Sequence, residues 1–206
     1  MARVYLTSLN CQTGTMARHR DIALDRSGIV AAAFALLDEA GLDGVTMRAL
    51  AARLSVQAPA LYWHVRDKAA LGGLMAEALY AEARAGLHDG LDARAWLLAL
   101  GQGLCRSLAR HRDAARLLAS ARPLAQASDE TAAGMAAPLV QRGFSREQAL
   151  EAQAAVLSLS LGWSIYRENA AMHAFLTGMF DLEESFERGL RVLVDGLVAE
   201  AVPASS

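Results

Sequence analysis

The chain is expected to be all-α, and three observations point that way. Apolar residues recur at i, i+3, i+4 and i+7 through most of its 206 residues. Capping residues stand just ahead of these runs, with glycine or proline just behind them. No stretch alternates as a strand would, and the Asp-Gly pairs at 43–44, 89–90 and 195–196 have helical flanks rather than hairpin ones. A hydrophobic share of 54%, a charged share of 20% and only 4 prolines exclude a disordered, collagenous or low-complexity chain.

Residues 1–22 show mixed polarity and no helical period, so they read as a flexible arm. Arg18, His19 and Arg20 are there either phosphate contacts or part of a plain solvated tail. Asp25 then caps a first helix, with Val30, Ala33, Phe34 and Leu37 on one face and Gly41 as its stop. After the turn at Asp43 and Gly44, Thr46 caps a helix of about two turns carrying Met47, Leu50, Ala51 and Leu54. A break at Ser55 and Val56 precedes a third short segment, Gln57 to His64. Pro59 sits there in the first turn, and Leu61 and Val65 are set to point inward. Short helix, tight break, short helix is the helix-turn-helix pattern.

Asp67 caps a long helix running to about Gly86, with Leu71, Leu74, Met75 and Ala78 on one face. It connects a small N-terminal helix-turn-helix unit over 23–70 to a larger helical unit over 71–206. Further helices are expected near 92–111, 113–120, 128–142, 145–168 and 181–200, punctuated at Gly90, Pro123, Gly143 and Gly178. The most apolar run, Ala154 to Ile165, is too short to span a bilayer and reads as a buried helix.

Charge and cysteines narrow the function classes. The net charge of -2 excludes a uniformly basic nucleic-acid binder but not a local basic site. Residues 1–70 hold eight Lys/Arg against six Asp/Glu, whereas 71–206 hold twelve against sixteen. Cys11 and Cys105 stand far apart without CxxC spacing, so neither a disulfide framework nor a zinc site is expected. With no secretory h-region near the start, a reducing cytoplasm fits best. The histidines at 19, 64, 88, 111 and 173 lack metal-ligand spacing, and there is no GxSxG, P-loop or HExxH motif, so an enzyme is not expected.

The sharpest signal is TMRALAARLSVQAPALYWHVRDK at 46–68. With Leu61 and Val65 inward, Gln57, Ala58 and Ala60 fall toward the helix N-terminus, where a recognition helix reaches base edges. Gln57 suits adenine and Ala60 a thymine methyl, while Tyr62, His64, Thr46 and Lys68 can bond phosphates. Arg48 can take a phosphate or a guanine edge through its fork. On residue chemistry alone, a small helical bundle with partly exposed aromatics remains open.

Residues 24–71 resemble, almost without interruption, the DNA-binding domain of the TetR family of bacterial transcriptional regulators. LYWHV is close to the tetracycline repressor subgroup. The resemblance continues through HRDAARLLASARP at 111–123 and GFSREQAL at 143–150. It implies a homodimer that places one recognition helix from each subunit in successive major grooves of a palindromic DNA operator. Arg48, Gln57, Pro59, Tyr62, Trp63, His64 and Lys68 match the subgroup pattern. Ala58 and Ala60 replace a glutamine and a threonine, so the resemblance implies a different operator. Ser55 replaces a turn glycine; if that position is left-handed, it carries strain of roughly 1 kcal/mol.

The resemblance also implies a small-molecule pocket. The positions that grip a magnesium-tetracycline chelate in the subgroup hold Arg84, Leu118 and Tyr166 here, so a different effector and no metal or cofactor are expected. Arg122 and Pro123 keep the pattern. The pocket is expected among Arg84, Cys105, Leu118, Arg122, Trp163 and Tyr166, although Trp163 and Tyr166 read equally as core or dimer-interface aromatics. Met172, His173, Phe175, Met179 and Phe180 form an apolar segment able to close its entrance. Ala152, Ala155 and Ser158 in one helix, with Phe186, Leu190, Leu193, Val194 and Leu197 in the last, are the dimer candidates, or else bury within one subunit. The expected function is a ligand-released repressor; the alternative is a DNA-binding regulator controlled by abundance or a protein partner.

Overall fold

The computed structural model describes residues 25–201, and over that span it is built of ten α-helices with no strand. The arm expected over 1–22, with Arg18, His19 and Arg20, lies outside the described residues, as does Cys11.

The first four helices are α1 (Arg26–Gly44), α2 (Met47–Arg53), α3 (Ala58–Tyr62) and α4 (Lys68–Arg84). Three begin on the caps read from the sequence. Asp25 accepts the Gly28 N–H at 2.8 Å, Thr46 the Ala49 N–H at 3.1 Å, and Asp67 the Ala70 N–H at 2.7 Å. The last bond, with Arg66 beside it, holds the Asp67 carboxyl below the usual range. Gly41 breaks α1 with φ 70°, a conformation cheap only for glycine, and a short turn follows to Gly44. The buried stripe of α1 is Ile29, Ala33, Leu36 and Leu37, which keeps the expected Ala33 and Leu37 and replaces Val30 and Phe34 by Ile29 and Leu36. Val30 and Phe34 lie at its margin, because Phe34 stacks on the His111 ring at 4.3 Å instead of entering the core.

The remaining helices are α5 (Ala93–Ala109), α6 (Ala114–Ser120), α7 (Asp129–Val140), α8 (Arg146–Glu168), α9 (Ala170–Thr177) and α10 (Leu182–Ala201). α9 lies in a segment with no expected helix; Asn169 starts it by accepting the Met172 N–H at 3.1 Å. α8 opens on a capping box, in which the Ser145 hydroxyl and the Gln148 side chain each satisfy the other's backbone N–H.

Two cores hold these helices. One joins α1–α4 to the lower part of α5 and to α6, through Leu37, Leu50, Leu61, Leu71, Met75, Leu104 and Leu117. The other joins α5, α7, α8 and α10 through Trp96, Leu97, Leu100, Leu139, Val156, Phe186 and Leu190. Helices α4 and α5 approach so closely that a Cβ on Gly103 would stand 2.1 Å from the Ala83 carbonyl oxygen. Only glycine fits there.

α8 departs from the buried apolar helix expected of its sequence. It turns Gln153, Ser160 and Ser164 inward with Ala149, Ala152 and Val156, and leaves Ile165 and Tyr166 exposed. The two serines satisfy themselves by bonding the carbonyls one turn back, Ser160 to Val156 and Ser164 to Ser160, each at 2.8 Å. Among the described residues no helix is long and apolar enough to cross a membrane.

Candidate nucleic-acid interface and ligand cleft

α3 hangs on the first core by one side. Leu61 is fully buried and Val65, just past the helix, is nearly so, while Ala58 packs half-buried against the same core. Everything else on the helix faces outward. Gln57, Pro59, Ala60, Tyr62 and His64 are exposed, and Trp63 is 89% exposed. Gln57 occupies the N-cap position, yet its side chain caps nothing, which leaves the amide free for an outside partner.

The flanks complete this face. Thr46 and Arg48 at the start of α2 and Lys68 at the start of α4 are all exposed. Among the described residues, Arg48 and Lys68 form none of the ion pairs that engage their neighbours: Arg53 binds Glu39 at 2.7 Å and Arg66 binds Asp67 at 3.1 Å. Two free cations thus frame a short helix bearing an amide, a phenol, an indole and an imidazole. That chemistry can bond phosphates and base edges together. The α2–α3 turn needs a left-handed residue, and Ser55 supplies it at φ 55°.

The six residues expected to form a ligand pocket do not converge on one cavity within the single chain. Arg84 lines an open cleft of about 430 Å³ with His88, Trp96, Met135, Gln141 and Gln153. Cys105 is buried behind α8, its Sγ 3.6 Å from the Ser160 carbonyl oxygen and 3.7 Å from the Ser164 hydroxyl. Burial pushes its thiol up, away from the reactive thiolate. Leu118 belongs to the first core, and Arg122 is exposed beyond α6. Trp163 is half-buried in an edge-on cluster with Tyr166, Phe180 and Phe186, at centroid distances of 6.4, 6.5 and 6.4 Å. Tyr166 is 45% exposed.

Arg142 fixes the cleft's wall. Its guanidinium donates to the carbonyls of Leu91 at 2.7 Å, Pro138 at 2.5 Å, His88 at 3.1 Å and Asp89 at 3.2 Å, fastening the α4–α5 loop to α7. Gln153 is 2% exposed and donates to the Met135 and Ala149 carbonyls at 2.8 and 3.0 Å. Reading the sequence missed both residues. Gln153 was detectable as an amide inside an apolar run, whereas Arg142 is one of 20 Lys/Arg with nothing local to distinguish it.

Arg84, Leu118 and Tyr166 do not suit a hard cation. They offer a guanidinium, a buried aliphatic chain and a phenol, where magnesium or calcium takes carboxylate and carbonyl oxygens.

The dimer candidates divide. Ala152, Leu190 and Val194 are corrected to the interior of the subunit, being 1%, 0% and 0% exposed, because α5, α8 and α10 pack on one another there. Phe186 is buried with them. Ala155, Leu193 and Leu197 stay half-exposed at the margin. Beside them lie the expected Ser158 on α8 and four residues that the sequence does not single out, Gly162 on α8 and Gly189, Val192 and Gly196 on α10. Val192 is 69% exposed, and a Cβ on any of those three glycines would meet nothing within 4 Å.

Residues 29–72 match the bacterial regulatory proteins of the tetR family. The chain is 34% identical over 196 residues to the tetracycline repressor protein class A from transposon 1721 of Escherichia coli, covering 84% of this chain and 90% of that one. It is 33% identical over 204 residues to an HTH-type transcriptional regulator of Saccharopolyspora erythraea, covering 86% of each. Among solved structures it superposes on a variant of TetR from Acinetobacter baumannii AYE in complex with minocycline, with a TM-score of 0.72 and 32% identity, covering 87% of this chain and 99% of that one.

Proposed function

The chain belongs to the TetR family of bacterial regulatory proteins, and on that premise we propose that it is a cytoplasmic, ligand-released repressor binding a palindromic operator as a homodimer. The observation that carries this reading is the bare outer face of α3. A helix anchored on one side by Leu61 and Ala58 that presents Gln57, Tyr62, Trp63 and His64 to solvent, framed by Arg48 and Lys68, has no packing reason for that composition. Gln57 reads a base edge, Ala60 meets a thymine methyl, and Thr46, Tyr62, His64 and Lys68 hold phosphates. Ala58, half-buried, sets the helix against its support rather than reading a base.

The α8–α10 surface is the subunit interface of this proposal. Glycine in a helix interior costs about 1 kcal/mol relative to alanine. Among the described residues a side chain at Gly162, Gly189 or Gly196 would meet nothing, so a surface from outside accounts for them. A second copy meeting Ala155, Ser158, Val192, Leu193 and Leu197 there makes a four-helix bundle. The two recognition helices then stand about 34 to 36 Å apart, one turn of DNA.

The effector is a small molecule other than magnesium-tetracycline, taken up around Arg84 and the cleft beside Trp96 and Gln153, whose volume falls in the range of small-molecule sites. Its binding favours one arrangement of α4 over another, and a coupling of about 1 to 3 kcal/mol weakens operator binding roughly 5- to 150-fold. Binding-site selection from a random duplex pool at near-physiological salt tests the reading. A palindrome with half-sites one helical turn apart is expected; a pool with no enriched sequence overturns it.

A further inference from the structure

Glu168 ends α8 in an unusual position. Its Oε1 accepts the Ala115 N–H at 2.6 Å, at the start of α6, while its Oε2 is buried with no hydrogen-bond partner among the described residues. Buried polar atoms are almost always paired, so an orphaned carboxylate oxygen calls for an explanation. Burial pushes the carboxyl up, and the negative charge of Asp113 adds to this, against the pull of the Ala115 and Arg116 N–H groups and the Arg116 cation.

What lies beyond Ala115 gives this position reach. Asp113, just before α6, is left-handed at φ 56° and accepts the Leu42 N–H at 2.9 Å, where α1 ends. On the same loop, His111 Nδ1 lies 3.0 Å from an Asp38 carboxylate oxygen, and the Arg112 N–H donates to the other oxygen of that group at 3.0 Å. A chain of polar contacts therefore runs from the end of α8, through the start of α6, into the helix that carries the DNA-binding unit. A pocket of about 170 Å³ lies alongside, lined by Leu108, His111, Ser164, Arg167 and Glu168.

We propose that Glu168 is a proton-sensitive peg. Seated and neutral, it ties α8 to α6 and, through Asp113, to the end of α1; charged, it draws toward water and loosens that tie. No bond other than the O–H is made or broken. The direction follows from linkage, since a group that holds its proton more tightly when buried favours the buried arrangement as pH falls. The charged groups around it are Asp113 and Arg116 of the α6 start, His111 and Arg112 of the preceding loop backed by Asp38 of α1, and Arg167 of α8 paired with Glu183 of α10. Glu168 is here a positioning residue, and its effect on DNA rests on the operator-binding reading above. A loosened head loses more freedom on docking and so binds more weakly.

The test uses the full-length protein and the operator it selects. Operator affinity is measured from pH 5 to pH 8 for the natural protein and for Glu168→Gln, a permanently neutral peg of the same shape. The gap between the two is expected to be smallest at the acid end of this range and to widen steadily as pH rises, to about 5-fold or more, with the natural protein weaker. A ratio that stays constant with pH, at unity or elsewhere, overturns the peg. Amide exchange at pH 7.5 supplies an independent arm: Ala115 and Leu42 should be several-fold better protected in Glu168→Gln while α2 amides are unchanged, and equal protection at those sites also overturns it. Failure to select any operator would instead count against the DNA-binding reading, with the exchange arm still deciding the peg.

Discussion

α3 and α9 are both short helices with bare aromatic side chains, and they differ in what holds them. α3 buries Leu61 completely and follows a capped, packed helix, so Tyr62 and Trp63 are displayed on a fixed mount. α9 buries no residue, and it carries Met172, Phe175 and, just beyond its end, Met179 and Phe180, at 36%, 64%, 60% and 39% exposure. Hydrogen-bonding groups surround the first set; the second meets α8 through Phe180, whose ring lies 6.5 Å from that of Trp163. An anchored aromatic among polar neighbours suits a wet, charged partner such as DNA. An unanchored apolar helix packed on α8 suits an apolar surface from outside the subunit, and on the proposal above that surface is the second copy.

The largest test of this contrast strikes the interface and leaves α3 alone. Val192→Arg should place a cation in the middle of the subunit contact and give monomers by sedimentation. Operator affinity should then fall about 100-fold or more, because two linked heads bind far more tightly than one. A monomeric variant with full operator affinity would mean that α3 works without a second copy.

The next pair of variants strikes α3 and leaves the interface alone. Gln57→Ala should cost about 1 to 3 kcal/mol of operator binding and relax the preference at one base pair of each half-site. Trp63→Ala should weaken all sequences alike, with little change in stability, since the side chain contacts almost nothing in the subunit. Gel-shift titration against the selected operator and its single-base variants separates the two outcomes. Both proteins should remain dimers.

Phe175→Ser sharpens the comparison from the other side. If α9 is covered by the second subunit, removing a large apolar side chain should cost about 1.5 to 3 kcal/mol of subunit association. Sedimentation equilibrium should show a correspondingly weaker dimer, with unchanged sequence preference at saturating protein. An unchanged dimer would return α9 to the solvent.

The same contrast explains what the sequence disclosed. Caps and periodicity are local, and Asp25, Thr46 and Asp67 did what their positions imply. α9 escaped because eight residues without a buried face leave no stripe to detect. The interior of α8 was misread because hydropathy ranks Ile165 above Ser160, whereas close packing against α5 selects the smaller, self-bonded serine. Leu190 and Val194 lie on a stripe that two opposing surfaces could equally claim, and only the placement of α5 and α8 decides between them. The cleft beside Arg84 is assembled from α4, α5, α7 and α8, so no local window contains it.

Ser55 gives the smallest effect and the finest distinction. A non-glycine residue at φ 55° in the α2–α3 turn costs on the order of 1 kcal/mol, and the side chain is exposed with no packing role to offset that cost. Ser55→Gly should therefore raise stability by roughly that amount, visible as an increase of about 2 to 4 °C in Tm. The gain is limited because glycine also frees the unfolded chain. Since the turn only sets the angle at which α3 leaves α2, the operator preference should not change. A shift in preference without a gain in stability would show that the left-handed serine trims the recognition helix to its DNA rather than merely tolerating the turn.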